Sequence, residues 1–482
     1  MAGMSSPATS TDDHAAAAGG SAPAPERLTR SLLQRPAAPV RIVHLGVGNF
    51  FRAHLAWYTA HSPDAEQWGI AAFTGRRPDI ADALAPQDGL YTLITRSGDG
   101  DAFEAVTSLS AVHPASDQQA YLDYLRRPEV ALVTMTVTEA GYVRGPDGGI
   151  DLNRDAVVAD LAALRADPAG GVSTMPAKLV AGLIARRTAG AGPISILSCD
   201  NLPDNGSATR TVVLGLAREV DPGLTEWISE QVDFATSMVD RITPATTDED
   251  RSLVQESCGY VDAEPVPTEP FSEWVVSGSF PAGRPRWEEA GASLVEDVQP
   301  YEQRKLWLLN GSHSQLAYAG SIRGHETIDQ AIADPQCREW VDLYWDEASR
   351  HLSLPADAVA EYRAALLTRY SNPRVRHRLA QIASDGTAKL QVRTLPTVLA
   401  ERADGRVPTG SALTLAAWVL HLRGHGAPVK DAEGQRALEA AGSSDLSSAV
   451  HAVLDVLRPG LGEDIALVDA VLAQARVLVP DA

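Results

Sequence analysis

Cysteine is scarce in this chain: Cys199, Cys258 and Cys337 stand far apart, and no CxxC pair occurs. That spacing excludes a disulfide scaffold and a cysteine zinc cluster, and it suits a reducing cytoplasm. Positive charge is also short. Lys and Arg total 41 against 62 Asp and Glu, a formal net charge of −21. Such a balance argues against nucleic acid or an anionic membrane as the main partner, because both need clustered positive charge. A local basic pocket for a small anion remains compatible with it. No stretch approaches the ~18 uninterrupted apolar residues of a membrane-spanning helix. The N-terminal segment has no Lys or Arg before Arg27 and no apolar core run, so it does not read as a secretory leader. Rich in Ala, Ser, Gly, Pro and Thr, residues 1–30 are expected to form a disordered tail, with folding beginning near Ser31.

What is present is an alternation of strands and helices. At roughly 100–200 residues per domain, 482 residues make two or three domains. Strand candidates are IVHLGVG from Ile42, GIAAFTG (69–75), VALVTMTVTEAGY (130–142) and PISILSCDN (193–201). Helical patterns lie between them, around residues 120–127 and 176–187. Alternation of this kind predicts an α/β, Rossmann-type domain with a parallel sheet over residues 31–296. From 297 to 482 the chain is Ala/Leu-rich and periodic, which predicts a mainly α-helical C-terminal substrate domain. Helices are expected at 300–321, 328–349, 357–369, 375–384, 410–422 and 446–457. The Pro-, Gly- and Trp-containing stretch 263–291 is the expected connection.

Gly46-Val47-Gly48-Asn49-Phe50 sits where the first strand meets the first helix. Gly46 permits a tight turn, Gly48 lets backbone approach a pyrophosphate, and the helix N-terminus faces the anion. The third glycine of the usual fingerprint is replaced by Phe51. The expected cofactor residues are Gly46, Gly48, Asn49, Phe50 and Arg52. Beyond the second strand, Asp79 would accept hydrogen bonds from a ribose diol and favour NAD, whereas Arg76 and Arg77 would meet a 2′-phosphate and favour NADP. An ordinary glycine turn and a solvated loop are the bland alternatives.

The segment Tyr301–His313 reads as helical. At about 100° per residue from Lys305, Glu302 lies near 60°, His313 near 80° and Asn310 near 140°. These polar groups share one side. A buried lysine with its pKa pulled down can act as a general base, an Asn amide can stabilise a forming alkoxide, and a histidine can hold a substrate hydroxyl. By spacing alone, a wet amphipathic face is the better reading; the glycine turn upstream reverses that, since a lysine base and a nicotinamide acceptor together oxidise alcohols.

With these residues in hand, the sequence resembles the mannitol dehydrogenase family of polyol-specific long-chain dehydrogenases. The matching stretches are IVHLGVGNFFRAH, VTMTVTEAGY, SCDNLPDNG, MVDRITP, EPFSEWV, KLWLLNGSHS and SDGTAK, in the family's order from Ile42 to Lys389. The resemblance implies a zinc-independent, NAD(P)-dependent enzyme with Lys305 as general base and no catalytic metal. It implies Asn310 and Asn201 as the oxyanion amides, His313 and Asp240 as hydroxyl binders, and Glu302 as a gate on the proton path. It implies Lys389 as a substrate-site lysine and a small polyol or sugar substrate for a monomer or weak oligomer. Asp240 beside Arg241 also reads as a plain ion pair, Asn201 as a turn residue and Lys389 as a surface lysine.

Two departures bear on substrate. Phe51 stands where the family has histidine, and Gln381, eight positions before Lys389, stands where the mannitol enzymes have arginine. That glutamine and the run Arg376-His377-Arg378 resemble the hexuronate-reducing branch, whereas SCDNLPDNG, VDRITP and Leu395-Pro396-Thr397 resemble the mannitol branch. The leading expectation is NAD-dependent interconversion of a polyol and its 2-ketose, of the D-mannitol/D-fructose type. The alternatives are a fructuronate-type reductase, a mannitol-1-phosphate 5-dehydrogenase and, from another class, a dinucleotide-binding sensor without turnover. An anionic substrate would call on Arg374, Arg376 and Arg378 in the helical region expected there, of which at most Arg374 and Arg378 could converge; a solvated basic patch is the bland alternative. A sensor would have lost the lysine or the amides, and all three are present.

Overall fold

In the computed structural model of the chain, residues 25–75, 78–432 and 434–480 are described. Residues 1–24 of the expected tail, and the pair Arg76 and Arg77, lie outside them. Strands β1 (Val40–Leu45), β2 (Gly69–Phe73), β3 (Tyr91–Ser97), β4 (Gly100–Val106), β5 (Leu109–His113), β6 (Leu132–Met135), β7 (Ile194–Ser198), β8 (Val232–Asp240), β9 (Val266–Thr268), β10 (Glu273–Ser277) and β11 (Ser293–Leu294) form two sheets. The larger has eight strands in the order β11-β10-β8-β7-β6-β1-β2-β5. Its neighbours pair in parallel except β8 with β10. The smaller sheet is β4-β3-β9.

Strands β2, β6 and β7 are buried along their whole length, as strands covered by helices on both faces must be. Local chemistry sets the covering helices. In Met175–Ala189, Thr174 accepts the Ala177 amide as a cap, Pro176 opens the first turn, and Gly190 ends the helix in the left-handed region. Strand order reverses between β1 and β6. That switch point is where an open α/β sheet leaves a crevice at its carboxyl edge.

The C-terminal part is helical. Its centre is Thr409–Leu422, in which every residue from Gly410 to Leu422 is buried. A helix that is apolar all round must lie inside a bundle, and it packs against Ile465–Leu478 and Pro335–Ser349. All three cysteines are free. Among the described residues no helix is long and apolar enough to cross a membrane.

Three segments differ from the sequence-based expectation. The folded chain starts before Ser31, because Arg27 bridges Val261 and Leu28 is fully buried. The stretch 263–291 is no loose connection: β9 and β10 join the two sheets, and Trp274 and Trp287 are fully buried. Of residues 375–384 only Leu379–Ile382 are helical. Arg376 takes a left-handed φ of 47°, which interrupts the helix before Leu379.

Candidate active site

The crevice at the switch point is a cleft of about 1100 Å³ lined by Gly46, Gly48, Asn49, Phe50, Thr136, Asp79 and Asn201, among others. Gly46 has φ +109°, and a Cβ there would lie 2.3 Å from the Thr136 carbonyl oxygen. Only glycine fits that cradle. Beneath it, His44 bonds Thr134 Oγ1 and the Gly46 carbonyl, each at 2.8 Å, and stacks on Phe51 at 3.5 Å. Burial drives the His44 pKa down to about 3, so it supports the turn as a neutral ring. Phe51 is therefore a packing partner below the turn.

Asn49, Phe50 and Asp79 fall on the cleft, as the sequence suggests. Arg52 does not: it is fully buried, donating to Asn49 Oδ1 at 2.7 Å and the Glu264 carbonyl at 2.6 Å. Its guanidinium anchors the first helix from behind.

Where the cleft meets the helical part, a small cavity is lined by Asp200, Asn201, Val239, Glu302, Lys305 and Asn310. Lys305 Nζ donates to Asn201 Oδ1 at 2.6 Å and to the Val239 carbonyl at 2.5 Å. Burial lowers the Lys305 pKa, with Asp240 opposing that shift and Arg369 and Arg393 adding to it. In the neutral amine, two acceptors hold two N–H bonds and the lone pair points elsewhere. The same contact orients Asn201: its oxygen faces the amine, so its NH₂ is turned away and can donate. The Asn310 side-chain amide makes no hydrogen bond among the described residues, which leaves it equally ready.

Residues 305–310 form a π-turn, as do 316–320. The 100° wheel used on the sequence therefore does not hold between Lys305 and Asn310; the widened turn brings both to one cavity, and π-turns recur at functional sites. Glu302 accepts the Asp204 amide at 3.2 Å, and burial raises its pKa.

Asp240, at the end of β8, is not paired with Arg241. Arg369 binds it bidentately at 2.7 and 3.0 Å and also reaches Glu269 at 2.7 Å. Arg241 instead donates to the Ala53 and Glu269 carbonyls. Burial pushes the Asp240 pKa up, but Arg369 and Lys305 outweigh it and the carboxyl lies below its ordinary range. His313 lies in an adjoining pocket with Arg369, Tyr370 and His377. Its ring is 4.8 Å from Tyr370 and 5.1 Å from His377. Burial, then His377 and the two arginines, keeps it well below its usual pKa.

The remaining sequence candidates sit elsewhere. Gln381 is exposed on a four-residue helix. Lys389 donates to the Ile382 and Ser384 carbonyls. Arg374 is on a loop, paired with Asp101 at 2.7 Å, so the expected helical pair with Arg378 does not form. Arg369 and His377 are also eight positions apart, and these are the residues brought to His313. Sequence reasoning noted His377 only within the run Arg376-His377-Arg378 and missed Arg369, together with Arg393, which donates to the Asn310 carbonyl at 3.3 Å and Ser314 Oγ at 3.1 Å. Among the described residues no carboxylate pairs with Arg393. Arg393 follows SDGTAK by four positions, and that motif was the available signal.

A dinucleotide-type cleft opening onto a half-buried lysine, with two amides lining the same cavity, defines a dehydrogenase acting on a CH–OH group. Residues 40–289 match the mannitol dehydrogenase Rossmann domain, and residues 297–475 match the mannitol dehydrogenase C-terminal domain. The chain belongs to the mannitol dehydrogenase family. It is 38% identical to the D-mannonate oxidoreductase of Escherichia coli (strain K12) over 395 residues, 80% of either chain. A crystal structure of D-sorbitol dehydrogenase in substrate-free form is 32% identical with a TM-score of 0.84, covering 92% of this chain and 93% of that one. The Pseudomonas fluorescens mannitol 2-dehydrogenase ternary complex with NAD and D-mannitol is 32% identical with a TM-score of 0.76, covering 95% of each.

Proposed function

We propose that the protein is an NAD-dependent oxidoreductase that interconverts a polyol and its 2-ketose, with Lys305 as general base and no catalytic metal. The observation that carries this reading is the Lys305–Asn201 contact at the edge of the cofactor cleft. The Gly46 cradle and Asp79 would hold the dinucleotide, and the nicotinamide supplies the hydride acceptor when bound. Lys305 takes the proton of the substrate hydroxyl through its free lone pair. Asn201 and Asn310 donate to the oxygen as charge develops on it. Glu302 passes the proton from Lys305 toward solvent. His313 and Asp240 hold neighbouring hydroxyls, with Arg369 fixing the Asp240 carboxylate. The scarcity of cysteine fits action in a reducing cytoplasm, as a monomer or weak oligomer.

A second reading, a hexonate or hexuronate substrate, is favoured by one specific feature. Among the described residues Arg393, beside Asn310, has no carboxylate partner, and a carboxylate substrate would complete such a charge. The similarity to a D-mannonate oxidoreductase points the same way. The deciding experiment compares kcat/KM for fructose, fructuronate and fructose 6-phosphate under one set of conditions. If either anion exceeds fructose by more than about tenfold, a gap of about 1.4 kcal/mol, the neutral-polyol reading is wrong.

A further inference from the structure

The turn that carries Asn201 is held from two sides. Asp200, the last residue before it, follows β7. Its Oδ1 accepts the Leu202 amide at 3.3 Å and its Oδ2 accepts the Tyr142 hydroxyl in a short bond. Its carbonyl accepts Asn205 Nδ2 at 3.2 Å, and Asn205 exchanges two further bonds with Ser237 on β8. Between these ties Asn201 is exposed. Tyr142 is fully buried and closes the helical turn Glu139–Tyr142, which ends the loop after β6. That loop supplies Thr136, Val137, Thr138 and Glu139 to the cofactor cleft, and Asp200 lines both the cleft and the lysine cavity.

We infer that Asp200 and Tyr142 are a positioning pair, in which one side-chain hydrogen bond locks the loops after β6 and β7 together and aims the Asn201 amide at Lys305. The inference rests on the reading of Lys305 and Asn201 as catalytic groups.

A packing role alone does not account for the carboxylate. A half-buried acid without a cation is unfavourable, and no basic group is among the strongest influences on Asp200. Burial lifts its pKa to about 6, with the Tyr142 bond opposing that rise. Tyr142 keeps its proton, because burial and the adjacent Asp200 both push its pKa up. The hydroxyl is thus a donor at neutral pH, and the bond has a fixed direction. Glu139 faces the pair from the loop after β6, and Glu302 and Lys305 face it across the small cavity.

The test uses the full chain with Tyr142→Phe, Asp200→Ala and Asp200→Asn. The first two are expected to lower kcat on the order of ten- to a hundredfold, because a displaced reacting group is costly even over about 1 Å. NADH affinity by fluorescence is expected to stay unchanged, and so is the folded fraction at the assay temperature. Asp200→Asn keeps an acceptor for Leu202 and a partner for the tyrosine oxygen, so it is expected to restore kcat. Parent kcat in Tyr142→Phe and Asp200→Ala would overturn the inference. So would an Asp200→Asn variant as impaired as Asp200→Ala. Undiminished turnover in Lys305→Ala would instead overturn the underlying reading, so the two failures are distinguishable.

Discussion

Asn201 Oδ1 lies 2.6 Å from Lys305 Nζ although the residues stand 104 positions apart. One comes from a turn after a sheet strand, the other from the first helical segment of the C-terminal part. The contact therefore exists only when both parts are folded and docked. It also orients the amide: oxygen to the amine, NH₂ away from it.

Removing that amide tests the assignment. Asn201→Ala is expected to lower kcat by about 10²–10³-fold, the usual cost of losing one oxyanion donor. Asn201→Asp should be at least as poor, since it places a negative charge where charge develops. Steady-state kinetics with NADH affinity as a control checks both.

The pH dependence of oxidation follows from Lys305. Burial lowers its pKa from the ordinary value of 10.5. If the neutral amine is the base, as proposed, oxidation should rise with pH through that lowered pKa, while ketose reduction should fall through it. Opposite slopes for the two directions, with a midpoint below 10.5, are the expected result.

Arg369 should behave as a buried counter-ion. Arg369→Ala leaves Asp240 and Glu269 without their cation, and it is expected to destabilise the fold by about 3–5 kcal/mol. Asp240 is depressed in the folded state, so its contribution is present above its unfolded pKa, about 3.9, and is lost as pH falls through the lower folded value. In Arg369→Ala that part of the acid profile should disappear. Denaturant melts across pH measure it.

His44 and His54 add acid sensitivity of the same sign over a higher pH window. Burial takes both to about 3. Between there and 6.5 the unfolded chain binds more protons than the folded one, so stability should rise with pH across that window. His44→Gln should flatten part of this slope and weaken NADH binding, because the ring props the Gly46 turn.

Much of this arrangement is legible in the sequence, for identifiable reasons. Runs such as Ile42–Leu45 and the Gly46 turn state their own structure, because β-branched burial and a left-handed glycine are local demands. Lys305, Asn310 and His313 share a short segment, so their grouping shows even though the π-turn shifts their angles. Arg369 was hidden because its role depends on a partner far away: Asp240 is 129 positions from it. Of the helix expected across 375–384 only Leu379–Ile382 forms, because the left-handed Arg376 leaves a loop before it, so Arg374 is not on a helix. Arg52 looked like a cofactor ligand from its position in the turn, while burial decides otherwise.

The central claim is that Lys305 removes the substrate proton. Single-turnover hydride transfer in Lys305→Ala, followed with and without a small primary amine in solution, tests it most directly. The expected result is a loss of about 10²–10⁴-fold with unchanged NADH affinity, and partial recovery in proportion to added free amine. A transfer rate equal to that of the parent protein without amine would contradict the account.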